Sequence, residues 1–148
     1  MRYFLDVEFN GFGGDLVAIA LVPEDRAEPP FYAAALCPAP VQWVTDNVLP
    51  KLGIAPQPLE EVALAFAAYL ARDPAPVIVA DWPEDIGHAA RLLTNGAGHR
   101  LYPNAARFEL LPAEGFSADI FSDDPHNALQ DALGLRDWVQ AWEADERD

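Results

Sequence analysis

The sequence predicts an α/β fold in which helices flank a mixed five-stranded sheet, three antiparallel N-terminal strands being followed by parallel ones. Three observations predict it. The chain opens with three strand candidates joined by short links; a nearly all-apolar strand, PVIVAD, stands between two helical patterns; and the last third closes on a long segment whose apolar residues fall on one helical face.

The first strand is carried by FLDVEF. Alternation sends Phe4, Asp6 and Glu8 to one face and Tyr3, Leu5, Val7 and Phe9 to the other. The glycine-rich NGFGGD then reads as a turn into LVAIALV, a second strand rich in β-branched residues. It lacks the lysine and the spacing of a phosphate-binding loop. FYAAALC, after the loop VPEDRAEPP, is the third strand of an antiparallel meander.

PVQWVTDNVLPKL places Val41, Val44, Val48 and Leu49 near helical spacing, with Pro40 in the opening turn and Pro50 closing the helix. PLEEVALAFAAYLARD is a second helix, Glu60 and Glu61 complementing its N-terminal dipole and Arg72 its end. PVIVAD is the kind of strand buried on both faces. PEDIGHAARLLTNG begins with proline and acids and ends in Asn-Gly, which reads as a third helix, and RFELL is the fifth strand. In DDPHNALQDALGLRDWVQAWEA, Asp124 is placed as the cap and Pro125 at the first position of the final helix.

With 148 residues, 51% of them apolar, the chain fits a single domain over 1–148. The run VALAFAAYLA is too short to span a bilayer and the N-terminus has no cleavable leader pattern, so a cytoplasmic protein without membrane contact is expected. One cysteine, Cys37, excludes an internal disulfide and a thiolate zinc cluster. A net charge of −15, from 24 acids against 9 bases, argues against a broad footprint on duplex nucleic acid, though not against a short polyanion held through metal ions.

Two acids on one face of an apolar strand demand compensation: either the face is wet, or a divalent cation neutralises them. PHNALQD sets His126 five residues before Asp131, an offset of about 140° on a helix, so both reach one cavity only if His126 stands at the helix entrance. Taken singly, Asp131 also reads as an exposed helix acid and His126 as a surface or capping histidine.

Together, D-V-E in the first strand, an acid after the fourth strand and H-x-x-x-x-D in the last helix resemble the DEDDh 3'-5' exonucleases, with their ribonuclease H-like fold. The chain is most similar to small stand-alone exoribonucleases, which share strands like RYFLDVEF and the segment NVLPKL. The resemblance spans nearly the whole chain. It implies that Asp6, Glu8 and Asp131 bind two Mg²⁺ or Mn²⁺ ions, with Asp6 bridging them. Hard oxygen ligands suit such ions, and a pair about 3.5–4 Å apart stabilises both attacking and leaving oxygens at phosphorus. His126 would take the proton of the attacking water. The expected substrate is the 3' end of single-stranded or short RNA, the product a nucleoside 5'-monophosphate, and the expected assembly a homodimer.

The second family acid departs from the pattern. Where relatives commonly carry H-N-A-x-F-D, this chain has ADWPEDIGHAARLL, offering Asp81, Glu84 and Asp85. The resemblance assigns Asp85, because it precedes a helix as the family aspartate does and is followed by an apolar pattern ending in Leu92 and Leu93; Asp81 is the alternative, or else that helix's cap. Trp82 is expected to stack on a base or to fill core, and Phe9 and Asn10 to meet the terminal nucleotide or to form a hairpin corner. Trp43, Trp138 and Trp142 read as packing or a subunit contact. Arg100 and Arg107 are the best local phosphate contacts. The same scaffold also admits a non-catalytic binding module or a phosphodiesterase for small nucleotides.

Overall fold

The computed structural model describes residues 1–102, 104–112 and 114–147. Strands β1 (Arg2–Phe9), β2 (Leu16–Pro23), β3 (Phe31–Ala34), β4 (Val77–Ala80) and β5 (Arg107–Leu110) form one sheet in the order β3-β2-β1-β4-β5. β1, β2 and β3 pair antiparallel, whereas β1–β4 and β4–β5 pair parallel. The expected meander and mixed sheet are both present.

Between β1 and β2 the chain turns through Gly11 and Gly13, both at positive φ, and a side chain at Gly14 would collide with the Asn10 carbonyl. The helices are α1 (Gln42–Asn47), α2 (Leu59–Leu70), α3 (Pro83–Leu92), α4 (Ala118–Phe121) and α5 (Ala128–Asp145). Period-2 alternation in β1 sorts the core into two layers. Tyr3, Leu5 and Val7 pack with Val62, Phe66 and Leu70 of α2 and Ala89 and Leu92 of α3. Phe4 packs on the opposite face with Val44 of α1 and with Ala128, Ala132, Leu135 and Val139 of α5.

Four sequence expectations are corrected. The first helix is shorter than its apolar spacing suggested: α1 ends at Asn47 and a 3-10 turn, Leu49–Lys51, follows, because Pro50 lacks the amide that would continue the α ladder. Pro40 lies before α1, whose cap is Val41. Arg72 lies beyond α2, where it pairs with Glu28 and stacks over Tyr69 instead of closing the helix.

Nor does α5 open at Pro125. His126 sits at φ 71, outside helical space, and Asn127 caps the helix by accepting a hydrogen bond from the Gln130 amide at 3.1 Å. The short α4 had no sequence counterpart. It lies against α5 at Gly134, where an added Cβ would come within 2.5 Å of the Phe121 carbonyl oxygen.

Candidate functional site

β4 stops at Ala80, and its register with β1 runs only from Arg2–Val77 to Phe4–Val79. The second half of β1 therefore runs on without a parallel neighbour. Into that gap comes the first turn of α3, entered through Pro83 with Trp82 at the cap position, so that the Asp85 carboxyl lies against the Val7 backbone amide. Asp81 follows β4 directly, and the cap position of α3 falls one residue later, on Trp82. Asp6 and Glu8 project from β1 toward α5, whose first turn presents Asp131.

Strand ends, a helix start and a helix face thus bring Asp6, Glu8, Asp85 and Asp131 to one place, at the carboxyl ends of parallel strands, where ligands collect in open α/β sheets. Asp85 and Asp131 are each only 3% exposed. One potential ligand atom from each of Glu8, His126 and Asp131 lies within 4.8 Å of the others.

His126 reaches Asp131 because it precedes the helix. Its amide donates to Asp131 Oδ2 at 3.0 Å, closing a turn in which the Asn127 amide also donates to the Asp124 carbonyl at 3.1 Å. A helical Pro125 would have sent the two side chains to different faces.

The electrostatics are those of an uncompensated acid group. Burial first, then the charges of Asp85, Glu8, Asp131 and Asp81, hold the Asp6 carboxyl well above the usual aspartate range. Burial and the neighbouring Asp131 push Glu8 up to about 8, with Lys51 opposing the rise. Asp85 is pushed up to about 8 by burial and by Asp81, Glu8 and Glu84. Burial also raises Asp131, against hydrogen bonds from Ser122 and the His126 amide and the charges of His126 and Lys51. Asp6 Oδ2 and Asp131 Oδ1 are sealed from solvent and have no hydrogen-bond partner among the described residues. Buried carboxylate oxygens without donors are costly. An all-oxygen set with orphaned lone pairs fits a hard divalent cation.

Of the two aspartates that follow β4, Asp85 acts more strongly on Asp6 than Asp81 does. Asn10 is occupied by the chain itself: its side-chain amide donates to the Ala39 carbonyl at 2.9 Å and accepts from the Val41 amide at 2.7 Å. Phe9 stacks on His88 at 5.2 Å, and Trp82 is 52% exposed. Arg107 pairs with Val77 at the amino end of β4, away from the acids, and Arg100 bridges Thr94 beyond α3.

Three residues near the site had been given no role there. Lys51 pairs with Asp124 at 3.0 Å, Trp43 meets the His126 ring, and Phe12, 96% exposed, tips the turn that follows Glu8 and Phe9. Scarcity was a usable signal for Lys51, one of 9 bases in the chain. A groove of about 920 Å³ opens on the other layer between α2 and α3 and includes none of the four acids. No protein-family model matches the chain, and no curated protein matches it. Among the described residues no helix is long and apolar enough to cross a membrane.

Proposed function

We propose that the chain is a metal-dependent 3'-5' exoribonuclease of the DEDDh type on a ribonuclease H-like scaffold, acting on single-stranded or short RNA. The observation that carries this reading is the convergence of Asp6, Glu8, Asp85 and Asp131 with two sealed, partnerless carboxylate oxygens beside His126. The strand and helix order agrees with the same resemblance.

Asp6, Glu8, Asp85 and Asp131 would hold Mg²⁺ or Mn²⁺, which when bound supplies Lewis-acid stabilisation of charge at phosphorus. The chain's own groups do the rest. His126, at the mouth, accepts the proton of the attacking water. Asp131 keeps the His126 turn in place through the 3.0 Å amide contact. Trp82, exposed beside Asp81 and ahead of Asp85, offers a ring face to a terminal base, a contact worth about 1–3 kcal/mol.

A 5'-labelled RNA pentamer incubated with Mn²⁺ tests the reading. A ladder shortened from the 3' end, with nucleoside 5'-monophosphate as product, is expected. Absence of turnover would favour a binding module, and hydrolysis confined to dinucleotides a small-nucleotide phosphodiesterase. The homodimer that belongs to the same reading is checked by sedimentation equilibrium of the full chain.

A further inference from the structure

His126 is the non-glycine residue that adopts positive φ among the described positions, at 71°. An L-residue with a side chain holds that conformation only where its surroundings over-determine it. Two contacts come from the α5 side: the His126 amide on Asp131 and the Asn127 amide on Asp124. The others come from a segment remote in sequence, α1 and the 3-10 turn behind it. Lys51 Nζ donates to the Pro125 carbonyl at 2.5 Å and pairs with Asp124 at 3.0 Å, while Asn127 Nδ2 donates to the Lys51 carbonyl at 2.7 Å. The Trp43 ring stands edge-on to the His126 imidazole, with centroids 4.9 Å apart and planes at 81°. Trp43 is nevertheless 51% exposed, so core burial does not explain its place.

We propose that Trp43 and Lys51 are positioning residues for His126: the Lys51 ammonium ties down the two residues before it, the Lys51 main-chain carbonyl holds the one after, and Trp43 limits the swing of its ring. The inference rests on the reading of His126 as the proton acceptor, but the geometric half stands apart from that reading. The Lys51 ammonium grips the Pro125 backbone carbonyl and the Asp124 side-chain carboxylate, so it fixes the left-handed turn. Trp43 acts on the imidazole alone, so it fixes the side-chain rotamer. Asn47 Nδ2 donates to the Trp43 carbonyl at 2.9 Å, which steadies α1 beneath the ring.

The test uses the full chain as Trp43→Ala, Trp43→Phe and Lys51→Met, with two readouts. Amide hydrogen exchange followed by NMR reports the turn without reference to activity. Lys51→Met should speed exchange at His126 by about tenfold or more and leave the amides of β1 and β2 unchanged, since local opening is separable from global unfolding. Steady-state hydrolysis of the RNA pentamer reports the chemistry. Trp43→Ala and Lys51→Met should lower kcat by about tenfold or more, as a displaced catalytic group does, with KM unchanged and, in Trp43→Ala, the Mn²⁺ midpoint unchanged too, and Trp43→Phe should restore kcat. Unaltered His126 exchange in Lys51→Met, or unaltered kcat in Trp43→Ala, overturns the proposal. A wild-type chain that leaves RNA intact while Lys51→Met still releases the His126 amide overturns the nuclease reading alone and keeps the clamp.

Discussion

The two ends of β1 handle charge in opposite ways. At the amino end, Arg2 donates to Glu143 at 2.5 and 2.8 Å and to Glu24 at 2.5 Å, and the terminal ammonium pairs with Asp73 at 2.8 Å. Each acid there has a cation and some water. Four and six residues along the same strand, Asp6 and Glu8 face Asp85, Asp81 and Asp131, and two carboxylate oxygens have no donor among the described residues. Folding has solved the charge problem at one end and left it open at the other. On the proposed reading, a strand balanced where it begins and unbalanced where it finishes would take up positive charge at the second place.

The largest expected effect comes from removing the imbalance. Asp6→Asn should abolish Mn²⁺-dependent turnover and weaken Mn²⁺ binding, while raising the Tm of the chelator-treated protein at pH 8. A variant that hydrolyses RNA at the wild-type rate would remove the metal assignment. Next, His126→Ala should lower kcat by about 10²- to 10⁴-fold, the usual range for a general base. Calorimetric titration should show its Mn²⁺ binding retained; loss of binding would make His126 a ligand instead.

The pH response separates the two ends by sign. Burial and mutual repulsion raise Asp6, Glu8, Asp85 and Asp131, so the folded chain keeps protons that an unfolded chain releases above about pH 4. Metal-free stability should therefore fall as pH rises from about 4 to 8. Added Mn²⁺ should reverse the loss, more strongly at pH 8 than at pH 5, because cations and protons compete for the same oxygens. At the amino end Arg2 lowers Glu143, so stability there is present above the ordinary glutamate range and lost as pH falls through the folded value. Thermal melts in chelator and in Mn²⁺ across pH 5–8 decide the matter; a flat, metal-indifferent Tm would erase the contrast.

The smallest effect is expected at that balanced end. Arg2→Met removes ion pairs whose side chains are about a quarter to two-fifths exposed and should cost about 1 kcal/mol in urea unfolding, without touching Mn²⁺ affinity.

Much of this contrast was legible in the sequence because a strand's period of two is strict. Asp6 and Glu8 had to share a face with Phe4, and they do, on the α5 side of the sheet. Helix starts were less legible, since they depend on a cap that wins locally. Asp124 and Pro125 carry the composition of a helix entry, yet Asn127 forms the cap, and only the left-handed turn before it explains how His126 reaches Asp131. The contacts of Lys51 and Trp43 were illegible for another reason: their partners lie some seventy to eighty residues away, so scarcity singles out Lys51 but no local pattern says what it touches. Asn10 shows the reverse, a residue expected to meet the terminal nucleotide or to form a hairpin corner, whose side-chain amide is occupied by Ala39 and Val41.

The brevity of β4 has a consequence of its own. Four residues carry the chain from Val77 to Ala80, and the next few steps drop the opening of α3 beside Val7. Strand length here works as a ruler. Two residues inserted after Ala80 could prolong the ladder along β1, push Asp85 past its berth, and close the gap with backbone where a cation would otherwise lodge.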